Sequence, residues 1–154
     1  MAETRPPQRL EKISRAVRTF LEPYWAAWHR RGGSPNKLTL SQGMCGRSSL
    51  FLRDVLRSEG EQADFVIGSP SEGPQGYRFE GVWRGHAWVQ SGDWIVDVTA
   101  DQFGKPDVVI TPVGDEKYKA GQDTAMPEIK AQRQQMAQEL MSKWVEQMGD
   151  MHET

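Results

Sequence analysis

A β-hairpin is written into residues 85–98. Gly85-His86-Ala87-Trp88-Val89-Gln90 and Trp94-Ile95-Val96-Asp97-Val98 are two strand-like runs, and Ser91-Gly92-Asp93 between them supplies a tight turn. An antiparallel pair of this kind constrains a fold strongly, because it fixes a register and two faces at once. Counting from Gly92, His86 lies six residues back and Asp97 five forward. The two therefore fall nearly opposite, and their side chains meet if they share a face. By the same parity Trp88 shares the face of His86, while Trp94 lies one residue off the parity of Asp97 and reads as structural.

Around this hairpin the remaining elements follow from periodicity. Leu10, Ile13, Val17, Phe20, Leu21 and Tyr24 recur at steps of three and four, which predicts a helix over about residues 8–22. Pro23 breaks or kinks it. Tyr24, Trp25 and Trp28 extend it as an aromatic segment to the loop Gly32-Gly33-Ser34-Pro35. These tryptophans read as core rather than as a substrate wall, and Arg30 and Arg31 as solvated charge. A second helix begins at Cys45, carries Ser48, Leu52, Val55 and Leu56 on one face, and stops at Gly60. Strands follow at 63–68 and around Tyr77 to Trp83, with a Pro- and Gly-containing loop between them. After the hairpin come a short strand, Val108-Val109-Ile110, ended by Pro112, and a polar loop from Gly114 to Gln122. Pro127 opens a last helix whose stripe is Ile129, Met136, Leu140, Trp144 and Met148.

At 154 residues the chain suits one domain, 1–154, that buries a core without disulfides or metal. The formal charge of -2 gives no global attraction to nucleic acid or an anionic membrane. No apolar run approaches a membrane span, and Met1 to Pro7 lacks the apolar core of a signal peptide. One cysteine excludes an internal disulfide and fits a reducing compartment. The expectation is a soluble, cytoplasmic protein without nucleic-acid or membrane partners.

That one cysteine sits at a helix start, where unpaired N–H groups and the macrodipole stabilise a thiolate. Acyl transfer by cysteine needs a thiolate, a base or ion-pair partner that makes it, and a third group that holds the imidazole. Cys45, His86 and Asp97 supply the three types. Cysteine, histidine and aspartate are also zinc ligands, but the spacing lacks the tight ligand pairs of zinc motifs. Neither metal nor cofactor is expected.

The run from Cys45-Gly46-Arg47-Ser48 to Ser58-Glu59-Gly60 resembles the cysteine helix of the transglutaminase-like superfamily. His86-Ala87-Trp88-Val89 is similar to its His-Ala-Trp strand, and Trp94-Ile95-Val96-Asp97-Val98-Thr99 to its Trp-Val-x-Asp-Pro-Thr segment. The likeness spans about Gln42 to Gly104. Val98 stands where proline is usual and Gln90 where many relatives carry an acid. The resemblance implies an α+β, papain-like/transglutaminase-like fold, with the cysteine-bearing helix packed on an antiparallel sheet. The core would cover about 38–112, with helical extensions at about 8–31 and 127–149.

It further implies Cys45 as nucleophile, His86 as base and later acid, and Asp97 as orienter. Gln42-Gly43-Met44-Cys45-Gly46-Arg47-Ser48 also resembles the papain signature, which marks Gln42 as an oxyanion donor beside the Cys45 N–H and Ser48 as the alternative nucleophile. That register is set aside, since a papain needs partner cysteines and a longer chain. Asp101 and Gln102 fall near the site mouth, where a turn aspartate also caps its own backbone; Trp88 is a candidate site wall. The implied activity is thioester-mediated acyl transfer on a protein or peptide bearing an amide or glutamine side chain, with hydrolysis (peptidase, amidase or glutamine deamidase) expected. The alternatives are protein cross-linking and a non-catalytic binding or regulatory module on the same fold.

Overall fold

The computed structural model describes residues 5–33, 39 and 41–152. Ser34 and Pro35 of the expected loop, residue 38 at the start of the expected core, and Met1 to Thr4 of the N-terminal segment lie outside the described residues.

Helix α1 runs without interruption over Gln8–Arg31 and buries Leu10, Val17, Leu21 and Trp25 along one face. Of the break or kink expected at Pro23, the break does not occur. Pro23 and Thr19, the residue whose carbonyl loses its N–H partner, are both exposed, which places the freed oxygen on the solvent side of the helix. Beyond the proline, Trp25 is fully buried and its Nε1–H donates to Ser48 Oγ at 2.8 Å. Burying a tryptophan contributes about 4–6 kcal/mol, which outweighs the cost of about 3 kcal/mol for an interior proline.

Helix α2, Cys45–Ser58, lies at the centre, against α1, the main sheet and the last helix, α3. Phe51, Leu52, Val55 and Leu56 are all fully buried. Its end is a Schellman motif: Gly60 N–H bonds the Arg57 carbonyl, Glu61 N–H bonds the Leu56 carbonyl, and Gly60 adopts φ +86°. Helix α3, Pro127–His152, buries Ala137, Leu140 and Trp144, with Met141 and Met148 partly covered. Ile129, expected on that stripe, is exposed, and Met136 is only half-buried.

The main sheet is antiparallel and ordered β1-β4-β5-β6, from β1 (Asp64–Gly68), β4 (His86–Ser91), β5 (Trp94–Asp97) and β6 (Val109–Pro112). Ser91 pairs with Trp94, and Gly92 takes φ +57° at the first central position of the two-residue turn between them. Val89, Trp94, Val96 and Val98 enter the core shared with the three helices. Trp88 and Ile95 point the other way, into an aromatic cluster with Tyr77, Phe103 and Tyr118.

That second cluster is covered by a smaller antiparallel sheet, ordered β3-β2-β7. The single strand expected from Tyr77 to Trp83 is a hairpin, β2 (Gly76–Phe79) and β3 (Val82–Arg84), turning at Glu80-Gly81. Both turn residues have positive φ, 51° and 77°, as a type I′ turn demands. The expected polar loop at 114–122 contains a further strand, β7 (Tyr118–Lys119), which pairs with Gly76 and Tyr77. Gly76, at φ +105°, sits where strands crowd, and a methyl there would run into the Arg84 carbonyl. The architecture is thus α+β, with helices flanking an antiparallel sheet and the cysteine-bearing helix packed on it. Among the described residues no helix is long and apolar enough to cross a membrane.

Candidate active site

Cys45 is the first residue of α2 and half-buried. The approach to the helix is tight: Gly43 takes φ +77° and Met44 N–H bonds the Ser41 carbonyl at 2.9 Å. Asp101 Oδ1 accepts from Ser41 Oγ, fixing the loop to the 3-10 turn Ala100–Phe103 that follows β5.

His86 opens β4 and is 2 % exposed. Its ring lies edge-on to Phe103, with centroids 4.9 Å apart, and to Tyr77 at 5.9 Å; Trp88 stacks beside it at 6.0 Å. Nε2 is 2.7 Å from Asp97 Oδ2. The two residues are not directly opposed. Pairing of Val89 with Val96 offsets them diagonally, a spacing that these longer side chains bridge on their common face.

Asp97 is almost completely buried, and every partner on its carboxylate is a donor. Oδ1 accepts from the Thr99 backbone N–H at 3.0 Å and from Thr99 Oγ1 at 3.2 Å. Oδ2 accepts from Tyr118 Oη–H at 2.8 Å as well as facing His86. Nε2 being engaged, Nδ1 is the ring atom left for the Cys45 thiol. It completes no hydrogen bond of ordinary geometry, a looseness common in sites without substrate.

These neighbours move the three titrations together. Burial pushes the Cys45 thiol up, but the neighbouring His86 imidazolium, helped by the Ala87 backbone, brings it below its ordinary value. Burial pulls the His86 imidazole down, yet the charge and hydrogen bond of Asp97, with Cys45 adding to them, push it up to about 10. For Asp97, burial favours the neutral acid, and His86, Thr99 and Tyr118 overcome it and hold the carboxyl below its usual range. The arrangement favours an imidazolium between a carboxylate and a thiolate.

The other residues singled out from sequence divide. Gln42 is exposed and lines a cleft of about 420 Å³ with Gln102, Phe79, Arg84, Gly85 and Phe103. Phe103 also touches the His86 ring, so the cleft adjoins the imidazole. Trp88 does not wall that cleft: it is 2 % exposed and fills the space behind His86 and Tyr118. Asp101 neither caps its own turn nor offers a free carboxylate, because Arg18 binds both its oxygens, at 2.7 and 3.1 Å. Ser48 is fully buried and holds Trp25, which removes it as a nucleophile.

Two contributors escape sequence reasoning. Tyr118 lies in a stretch read as a polar loop. Arg18 lies on the apolar face of α1, stacks on Trp25 at 4.8 Å, and bonds the carbonyls of Val98 and Asp107 besides Asp101. Its position between Val17 and Leu21 was the available signal. Among the described residues no group of three His, Cys, Asp or Glu side chains is arranged to hold a metal ion. Compared with known proteins, the chain matches no family model, no curated protein and no solved structure.

Proposed function

We propose that this protein is a cysteine-dependent acyl-transfer enzyme of the transglutaminase-like kind, which hydrolyses an amide through a Cys45 thioester. One observation carries the reading: a buried imidazole bonded to Asp97 through Nε2 at 2.7 Å, its Nδ1 left without a partner and so available to a thiol. The likeness of the Cys45 helix and of the His86 and Asp97 strands to that superfamily supports it.

In the proposed reaction the Cys45 thiolate adds to the amide carbon, forming the C–S bond and moving the carbonyl electrons onto oxygen. The Cys45 N–H and the Gln42 side chain stabilise that oxyanion. As the C–N bond breaks, His86 Nδ1 gives its proton to the departing amine. Neutral His86 then takes a proton from water as the water oxygen adds to the thioester carbon. Breaking the C–S bond restores thiolate and imidazolium. Asp97 keeps the Nε2 proton throughout and so fixes the tautomer. Gln42, Arg84 and Gly85 lining the cleft are exposed, which leaves the cleft beside the imidazole open to water.

The test is the reactivity of the thiol. At pH 7, iodoacetamide is expected to label Cys45 about tenfold or more faster than glutathione, since an ordinary cysteine is only a few per cent thiolate there. His86→Ala is expected to abolish the advantage and Cys45→Ala the labelling. Labelling at the glutathione rate would end the enzyme reading. The acyl group itself is to be identified by trapping the Cys45 adduct in lysate and sequencing the attached peptide by mass spectrometry.

A further inference from the structure

The Asp97 carboxylate holds more donors than orienting one imidazole requires. Thr99 alone satisfies Oδ1 with two bonds and fixes the plane of the group. Oδ2 nevertheless takes a second donor beside His86, the Tyr118 hydroxyl at 2.8 Å. Tyr118 belongs to the other sheet, and its ring is held edge-on to Tyr77 and to Trp88, each at 5.0 Å between centroids. Burial, then the charge of Asp97, push the phenol far above its ordinary value, so it remains a donor at every working pH.

Two donors on one oxygen compete for its charge. The hydroxyl draws the carboxylate's electron density toward itself, and the positive end of its dipole lies beside the imidazolium. Both effects weaken the hold of Asp97 on the proton of His86. The titratable groups facing the imidazole are Cys45 from α2, Tyr77 from β2, Asp97 from β5 and Tyr118 from β7. Asp115, just before β7, acts on both tyrosines at longer range.

We infer that Tyr118 is a positioning residue that tempers Asp97, so that the imidazolium of His86 can release its proton to the leaving amine. The inference rests on the acyl-transfer reading of Cys45. A carboxylate bonded to the histidine alone grips the imidazolium too firmly for efficient donation, because a general acid works best when it titrates near the working pH. Tyr118 therefore matters where the leaving group needs a proton and matters little where it does not.

Tyr118→Phe keeps the ring and removes the donor. Titration of the His86 ring by NMR, which needs no turnover, is expected to show its midpoint rising by about half to one pH unit. With model acyl donors, p-nitrophenyl acetate, whose leaving group needs no proton, should acylate Cys45 within twofold of wild type. p-Nitroacetanilide, whose amine does need one, should slow about tenfold. An unchanged histidine midpoint, or equal losses on both donors, overturns the role of Tyr118. A wild-type thiol no faster than glutathione defeats the enzyme reading instead, and the NMR titration still decides whether Tyr118 tempers Asp97. If circular dichroism shows the Phe variant unfolded, 3-fluorotyrosine at position 118, a stronger donor, is expected to lower the midpoint, and no movement there overturns the inference.

Discussion

Replacing Asp97 by asparagine isolates its charge from its shape. The amide is isosteric, retains an acceptor for His86 or Thr99, and leaves the packing of β5 alone. In the native site His86 is lifted from 6.5 to about 10 against the pull of burial. At about 1.4 kcal/mol per pH unit, that lift corresponds to about 5 kcal/mol in favour of the imidazolium, an upper bound on what Asp97 and Cys45 contribute net of burial. In Asp97→Asn burial acts with far less opposition, so His86 becomes neutral near pH 7 and the thiol loses the cation that holds it down. Iodoacetamide alkylation followed from pH 4 to 10 should show the low-pH limb moved up by at least about one unit, with at least a tenfold slower rate at pH 6. The same shifts link folding to protons. An unfolded histidine titrates near 6.5, so the His86 contribution to stability is complete below that pH and is lost as pH rises through about 10. Asp97 acts in the opposite sense. Held below its ordinary 3.8, it contributes above that pH and loses its contribution as acid is added. The Cys45 thiol, held below its ordinary 9.0, acts in the same sense as Asp97 and offsets the His86 loss once it ionises. Urea melts of the wild type should therefore weaken between pH 6.5 and the Cys45 titration and again above about pH 9, and the Asn variant should lose that slope. A folded Asn variant with the wild-type alkylation profile would refute the ion-pair reasoning.

Arg18→Met leaves the half-buried Asp101 without its bidentate partner and frees the carbonyls of Val98 and Asp107; urea unfolding should show a loss of about 3 kcal/mol, the low end for a broken buried pair. The double variant Arg18→Met/Asp101→Asn should recover part of that loss. Gly76→Ala meets both a backbone at φ +105° and the Arg84 carbonyl, and should destabilise by more than about 1 kcal/mol in thermal melts. Ser48→Ala strands the Trp25 indole N–H inside the core and should cost about 1–3 kcal/mol by urea unfolding. Because its hydroxyl serves Trp25, Ser48→Ala should leave the reactivity of Cys45 per folded molecule unchanged.

What the sequence makes legible here is what is local. The β4–β5 hairpin is readable because Gly92 punctuates two apolar runs, and turn arithmetic brings His86 near Asp97, missing only the diagonal offset. Helix α2 is readable from its apolar face and from Gly60. The β2–β3 turn is hidden because Glu80 is not a residue that advertises positive φ, so two strands read as one. Pro23 misleads because the helical rule counts the missing hydrogen bond but not the solvent side on which it is lost. Arg18 and Tyr118 are hidden for a different reason. Their partners lie on elements distant in sequence, Val98, Asp101 and Asp107 for one and Asp97 for the other. An arginine set between Val17 and Leu21 stands out from the apolar face but does not name its partners, and a tyrosine in a polar stretch does not stand out at all.

The site lies on a seam between two cores, and this bears on how it fails. Cys45 comes from the helical layer, whose cluster takes in α1, α2, α3 and one face of the main sheet. His86 and Asp97 lie on the opposite face, under the smaller aromatic cluster of Tyr77, Trp88, Ile95, Phe103 and Tyr118. Only the second cluster depends on β7, which contributes two residues and pairs with β2 alone. A short strand with one neighbour opens at lower free energy than a central helix buried on three sides. When β7 lifts, Asp97 loses the Tyr118 hydroxyl and the histidine loses part of its aromatic cover, while α2 and the thiol stay in place. Hydrogen exchange should thus find the Tyr118 amide, bonded to the Asp115 carbonyl, far less protected than those of Leu52 and Val55 in α2. Equal protection would mean that the two layers open together and that the site is no more labile than the helical core.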